Sequence, residues 1–204
     1  YYDNKKEEKH LPHPDLLPPV SIIVPGYNEE ITAVKTLESL LITTYTKFEI
    51  IFVDDGSKDR TYEIVQDAFG DHPIVKVLTK PNGGKASALN FGISHAKYDY
   101  VICIDADTQL KADAVYHMMV YFTDPEVGAV AGTVKVGNTH NLITNWQAIE
   151  YITAQNMDRR AFDVLNSITV VPGAIGAFRK SAIFKSGGFT TDTLAEDCDL
   201  TMRI

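Results

Sequence analysis

The chain has 204 residues, of which 45% are hydrophobic, with a formal net charge of −8 and two cysteines. That apolar share is ample for a packed core in one large or one and a half ordinary domains, and the acidic balance argues against nucleic acid as the main partner, because phosphate binding needs a basic face. Cys103 and Cys198 lack CxxC spacing and read as thiols rather than a disulfide framework, while no apolar run approaches the roughly 18 residues of a membrane span, so the segment reads as soluble by itself.

Residues 1–19 mix Lys5, Lys6, Glu7, Glu8 and Lys9 with Pro12, Pro14, Pro18 and Pro19, without a periodicity that can bury a face. They read as a polar, proline-rich linker lying outside the core. From Val20 short β-branched runs alternate with helical stretches. Strands are expected at Val20 to Val24, Phe48 to Val53, Ile74 to Leu78, Tyr100 to Ile104 and Val127 to Ala131. Helices are expected at roughly Glu29 to Ile42, Arg60 to Phe69, Lys85 to His95 and Ala112 to Phe122, with Ser57 a candidate cap for the second. The alternation predicts an α/β fold with a mostly parallel, Rossmann-like sheet and helices on both faces.

After residue 131 the alternation stops. Gly137, Asn138 and Asn141 lead into a periodic segment, Leu142 to Leu165, whose apolar positions, Trp146 among them, suit core packing or, alternatively, an aromatic platform facing a ligand. Two apolar segments follow, Ile168 to Val171 and Ala174 to Phe178, then a Gly187-Gly188 turn and an acidic stretch entering a helix at Leu200. The pattern stops inside that helix without a cap, which reads as a C-terminally truncated domain spanning 20–204.

An open parallel sheet binds ligands beyond the carboxyl ends of its strands, so the polar residues there carry the functional signal. Pro25-Gly26-Tyr27-Asn28-Glu29 follows the first strand; it offers a ring, a hydroxyl and a close backbone approach, although a capping turn explains it equally. Asp54 and Asp55 follow the second, where one carboxylate can accept from a base or ribose and the other cap a helix, or both serve the turn. Lys80-Pro81-Asn82-Gly83-Gly84-Lys85 follows the third and suits an anion such as a diphosphate, without the spacing of a P-loop. Asp105 and Asp107 follow the fourth. In an extended segment residues i and i+2 point the same way, so both carboxylates can face one hard cation. Glu196 and Asp197 precede the last helix and can serve as a base or simply favour a helix start.

Taken in order, VSIIVPGYNEE (20–30), VDDGSKDRT (53–61), KPNGGKASALN (80–90), DAD (105–107), VPGAIGAFRKSA (171–182), GGF (187–189) and AEDCDLTMRI (195–204) resemble the family-2 glycosyltransferases of GT-A fold. The likeness is nearest to the processive synthases of poly-N-acetylglucosamine, chitin and hyaluronan. It implies inverting, β-linking transfer of a sugar, N-acetylglucosamine by likeness, from a UDP-sugar donor to a growing polysaccharide acceptor, with Mg²⁺ or Mn²⁺. By the same resemblance Pro25, Tyr27, Glu29, Asp55 and Lys85 are donor contacts, with Asp55 at the uracil. Asp105 lies on the donor's ribose and sugar-phosphate side, Asp107 is the metal ligand with Asp105 beside it, and Glu196 with Asp197 form the catalytic pair, Asp197 being the base. Gly173, Ala174 and Gly176 belong to the implied acceptor loop. Ala195 stands where the family commonly has Thr, and the Gln-x-x-Arg-Trp motif and flanking membrane helices of processive members do not occur in these 204 residues. The resemblance therefore implies a full-length protein at the cytoplasmic face of the cell membrane. Two rivals remain at this stage: a UDP-sugar-binding module without catalysis, and a haloacid-dehalogenase-type phosphatase with Asp105 as nucleophile in a DxDxT sequence.

Overall fold

The computed structural model describes residues 12–133, 171, 174–191, 193 and 195–204. The segment Leu142 to Leu165, Ile168 and Gly173 lie outside the described residues.

Among the described residues six strands form one mixed sheet: β1 (Val20–Gly26), β2 (Phe48–Asp54), β3 (Val75–Thr79), β4 (Tyr100–Ile104), β5 (Ala129–Ala131) and β6 (Ile175–Arg179), in the order β3-β2-β1-β4-β6-β5. The first four are parallel neighbours, with Val20 opposite both Phe48 and Tyr100. β6 enters antiparallel between β4 and β5, pairing Ile104 with Ile175 and Ala131 with Gly176. All five expected strands form, β1 running on to Gly26 and β5 reduced to Ala129–Ala131.

The α-helices among the described residues are α1 (Ala33–Leu41), α2 (Thr61–Phe69), α3 (Lys85–Ser94), α4 (Ala114–Val120), α5 (Lys180–Lys185) and α6 (Glu196–Arg203). In α1, Ala33, Leu37 and Leu40 recur on one face, and that face is buried. It joins Val65 and Phe69 of α2, Val115 and Met119 of α4, and the side chains of Ile22, Val24, Ile50 and Phe52 on one side of the sheet. Ile23, Ile51 and Val53 point the opposite way and pack with Leu89 and Ile93 of α3, Ile183 of α5 and Leu200 of α6. The period-2 alternation of the strands thus sorts two apolar cores onto two faces. Gly92 lets α3 lie close to the sheet, since a Cβ there would meet Ile23 Cγ2 at 2.5 Å.

Three expectations are corrected. Helix α1 begins at Ala33 rather than Glu29, because Glu29 is used in a turn: its carbonyl accepts from the amides of Thr32 and Ala33. Ser57 caps no helix; its hydroxyl accepts from the Asn28 amide, while Asp59 accepts from the Thr61 amide where α2 starts. Residues ahead of Val20 are not all outside the core. Leu17 is fully buried, the Tyr45 hydroxyl donates to the Pro18 carbonyl, and the Tyr116 hydroxyl donates to the Pro12 carbonyl at 2.8 Å.

Candidate functional site

An open cleft of about 450 Å³ lies beyond the carboxyl ends of β1, β2 and β4. Strand β1 and its exit contribute Pro25, Gly26, Tyr27 and Glu29; β2 contributes Asp55; the β3–α3 connection contributes Asn82, Gly84 and Lys85; β4 leads to Asp105, Ala106 and Asp107. Every donor-side residue that the sequence singles out lines this one space. Topology accounts for the convergence, because parallel neighbours bring their exits to the same edge.

Tyr27 is 41% exposed at the cleft wall. Asn28 beside it holds φ at +58°, and its side-chain oxygen accepts from the Lys58 amide, which fixes the turn against the β2–α2 loop. The Glu29 carboxylate accepts from the Thr32 hydroxyl at 2.5 Å, and its amide donates to the Thr61 hydroxyl.

Of the roles open to Asp54 and Asp55, the helix cap is the one not found. Asp54 is buried and accepts from the Ser57 amide and the Thr79 hydroxyl, so it holds the turn and the adjacent strand and caps no helix. Asp55 is also buried; it accepts from Lys80 Nζ at 2.6 Å and from the amides of Gly83 and Gly84, the latter at 2.7 Å. The glycine amides that suit an anion are thus met by a carboxylate of the same chain. Charge-assisted bonds of this kind, taken out of water, are costly to break singly, since a lone buried charge would remain. Lys80, given no role beyond its motif, is the cation of this network. Its side chain is 13% exposed.

Around β4 the balance of charge is different. Lys85 Nζ sits 2.5 Å from Asp105 Oδ1 and 4.0 Å from Glu196 Oε1. Burial pushes the Asp105 carboxyl above its ordinary value; the Lys85 ammonium opposes that shift, and the neighbouring Asp107 and Glu196 add to it. Asp107 is exposed at the cleft. Residues 105–108 form a turn rather than an extended segment, with the Thr108 amide donating to the Asp105 carbonyl, so both carboxylates reach the cleft through a bend. Two carboxylates on one turn are hard oxygen donors suited to Mg²⁺ or Mn²⁺. Among the described residues no group of three or more His, Cys, Asp or Glu forms a metal cage, so diphosphate or water oxygens would complete the shell, as such ions ordinarily accept.

Glu196 and Asp197 open α6, and Glu196 is the member that reaches the cleft lysine. Asp197 is not among the cleft-lining residues; its carboxylate accepts from the Cys198 amide and its carbonyl from the Thr201 hydroxyl. On the expected acceptor side, the Ala174 carbonyl accepts from the Asp105 amide. Gly176 is buried inside β6, where a Cβ would meet Val171 Cγ1 at 2.5 Å, so its smallness serves packing and it does not line the cleft.

An α/β sheet with acidic strand exits gathered round one cleft is an arrangement suited to a phosphorylated ligand, and the sequence matches the profile described as "Glycosyl transferase family 2" over residues 21–186. The chain belongs to that family. Over its whole length it is 35% identical to poly-beta-1,6-N-acetyl-D-glucosamine synthase of Staphylococcus aureus, covering 49% of that protein. It is 36% identical over 186 residues to the synthase of the same name from Staphylococcus epidermidis, covering 45% of it. The chain therefore spans about half the length of these relatives. Among solved structures it is similar to the mannosyltransferase PcManGT of Pyrobaculum calidifontis in complex with GDP-Man and Mn²⁺ (TM-score 0.71, 27% identity, 94% of this chain and 53% of that one). S. aureus TarS 1-349 in complex with UDP-GlcNAc shares the fold (TM-score 0.62, 20% identity, 91% and 52% covered). The GT-A fold expected from the motifs is thereby established, and family membership disfavours the phosphatase reading of Asp105.

Proposed function

We propose that the protein transfers N-acetylglucosamine from its UDP donor to the end of a growing polysaccharide, forming β-linkages with inversion at the anomeric carbon. The observation that carries this reading is the 35% identity across the whole chain to a synthase of poly-beta-1,6-N-acetyl-D-glucosamine. The cleft chemistry supports it. Tyr27, Glu29 and Asp55 lie on the nucleotide side, Asp55 both shaping the glycine loop and facing the uracil. Lys85 exchanges part of its pairing with Asp105 for the donor diphosphate.

Asp197 takes the proton of the acceptor hydroxyl as that oxygen bonds to the anomeric carbon, and the bond from that carbon to the diphosphate oxygen breaks on the opposite face. Glu196, tied to Lys85, keeps the start of α6 at the donor, and Ala174 borders the acceptor. Asp107, assisted by Asp105, would hold Mg²⁺ or Mn²⁺, and the Mn²⁺ in the PcManGT complex supports the use of a divalent ion. When bound there, such an ion would supply charge stabilisation to the departing diphosphate. The full-length protein, with polysaccharide as acceptor, works at the cytoplasmic face of the cell membrane. Among the described residues no helix is long and apolar enough to cross a membrane.

The test uses the full-length protein with UDP-N-acetylglucosamine and Mn²⁺. Asp197→Asn should lose about 10²- to 10⁴-fold in turnover, the range of general-base assistance, while UDP affinity measured by calorimetry is kept. Unchanged turnover refutes the base. A wild-type protein that binds UDP but transfers nothing is a binding module instead.

A further inference from the structure

Asn90 lies five residues into α3 from Lys85 and takes no part in the cleft. Its side-chain amide makes two bonds to one distant residue: Nδ2 donates to the Phe189 carbonyl at 2.7 Å, and Oδ1 accepts from the Phe189 amide at 3.0 Å. A carboxamide pairs with a backbone residue in this way because it carries one donor and one acceptor side by side. Neither Asp nor Leu, close in size, can make both bonds.

The turn that Asn90 grips is held from the other side by α6. Arg203 donates to the carbonyls of Ser186 and Gly188, the latter at 2.8 Å, and to Asp199 Oδ2 at 2.7 Å; the Thr190 hydroxyl donates to the same Asp199 oxygen at 2.6 Å. Gly188 has φ +80°, and a Cβ there would lie 3.0 Å from Asn90 Oδ1, so the turn is shaped to the amide. The contacts close a ring. From Lys85 they run along α3 to Asn90, across to the turn at 186–190, through Asp199 and Arg203 into α6, and from Glu196 at its first residue back to Lys85 at 4.0 Å.

We infer that Asn90 is a positioning residue for the reaction, setting where the Glu196-Asp197 end of α6 stands relative to the donor cleft. It touches neither substrate nor reacting atoms. Misplacement by about 1 Å far from the chemistry can cost on the order of 10²-fold in rate, so the expected signature is a loss in kcat with donor affinity retained. This rests on the proposed transfer reaction.

The experiment is carried out on the full-length protein with UDP-N-acetylglucosamine, measuring kcat, UDP affinity by calorimetry and amide exchange across 195–199. Asn90→Ala and Asn90→Asp should each lower kcat by about 10- to 100-fold, leave UDP affinity within about twofold, and speed exchange at the start of α6. Gly188→Ala attacks the same junction from the turn, pressing on the Asn90 amide while leaving the α3 sequence unchanged, and should show the same split; it decides the matter if an Asn90 variant does not fold. Variants that keep kcat within about twofold, or that lose kcat and UDP affinity in step as general destabilisation would, overturn the inference. If wild-type protein transfers no sugar, the proposed function falls and this inference falls with it. If wild type turns over and the variants do not show the split, only the inference falls.

Discussion

The two halves of the cleft handle charge in opposite ways. On the β2–β3 side the Asp55 carboxylate is buried and met by Lys80 and two glycine amides. On the β4–α6 side Asp105 and Glu196 lie near Lys85 with Asp107 beside Asp105, and the Asp105 carboxyl is pushed up in consequence of burial and of its acidic neighbours. The first half is a finished piece of architecture that orients a loop. The second is left with excess negative charge, the condition in which a cation gains most by binding.

Substitutions can break or sharpen that contrast. The largest effect is expected for Asp107→Asn on the unfinished side. Turnover of the full-length protein should fall by roughly a thousandfold, as loss of several kcal/mol of charge stabilisation implies, with the melting temperature nearly unchanged. On the finished side Lys80→Met should do the reverse. Removing one partner of a buried pair costs about 3–5 kcal/mol, and differential scanning calorimetry should show a melting temperature lower by roughly 6–20 °C. Lys85→Met tests the same chemistry where the lysine side chain is 35% exposed. Stability should change by less than about 1 kcal/mol while UDP affinity drops, and a destabilisation matching Lys80→Met would erase the distinction between the halves.

The smallest effect concerns α6. Hydrogen bonds from Thr190 and the Arg203 guanidinium hold the exposed Asp199 carboxyl below its ordinary value of 3.8. A carboxyl depressed in the folded state lends stability that is present above that ordinary value and disappears as pH falls through the lowered one. Protection of the α6 amides, their exchange taken relative to the intrinsic rate at each pH, should therefore stay constant from neutral pH down to about 4 and fall only below it.

The strands and the donor-side cleft residues were legible because both depend on local pattern: β-branched runs fix the strands, and parallel order then forces their polar exits together. The insertion of β6 between β4 and β5 was not legible, since pairing Ile104 with Ile175 joins residues far apart in the chain. Nor could the sequence say whether the Gly83 and Gly84 amides await an outside anion or meet Asp55, because either partner is a carboxylate- or phosphate-type acceptor. Asn90 stood in a recognised motif without a role, for its partner Phe189 is 99 positions away. The signal available was the asparagine itself, polar among the apolar neighbours Leu89 and Phe91.

The burial of Leu17 has a practical side. The domain's folding unit starts upstream of its first strand, so an expression boundary drawn at Val20 would open a hole where Leu17 sits and strip the hydroxyls of Tyr45 and Tyr116 of their acceptors at Pro18 and Pro12. Emptying a fully buried leucine site costs about 2–5 kcal/mol, enough to decide whether a trimmed version can be purified at all.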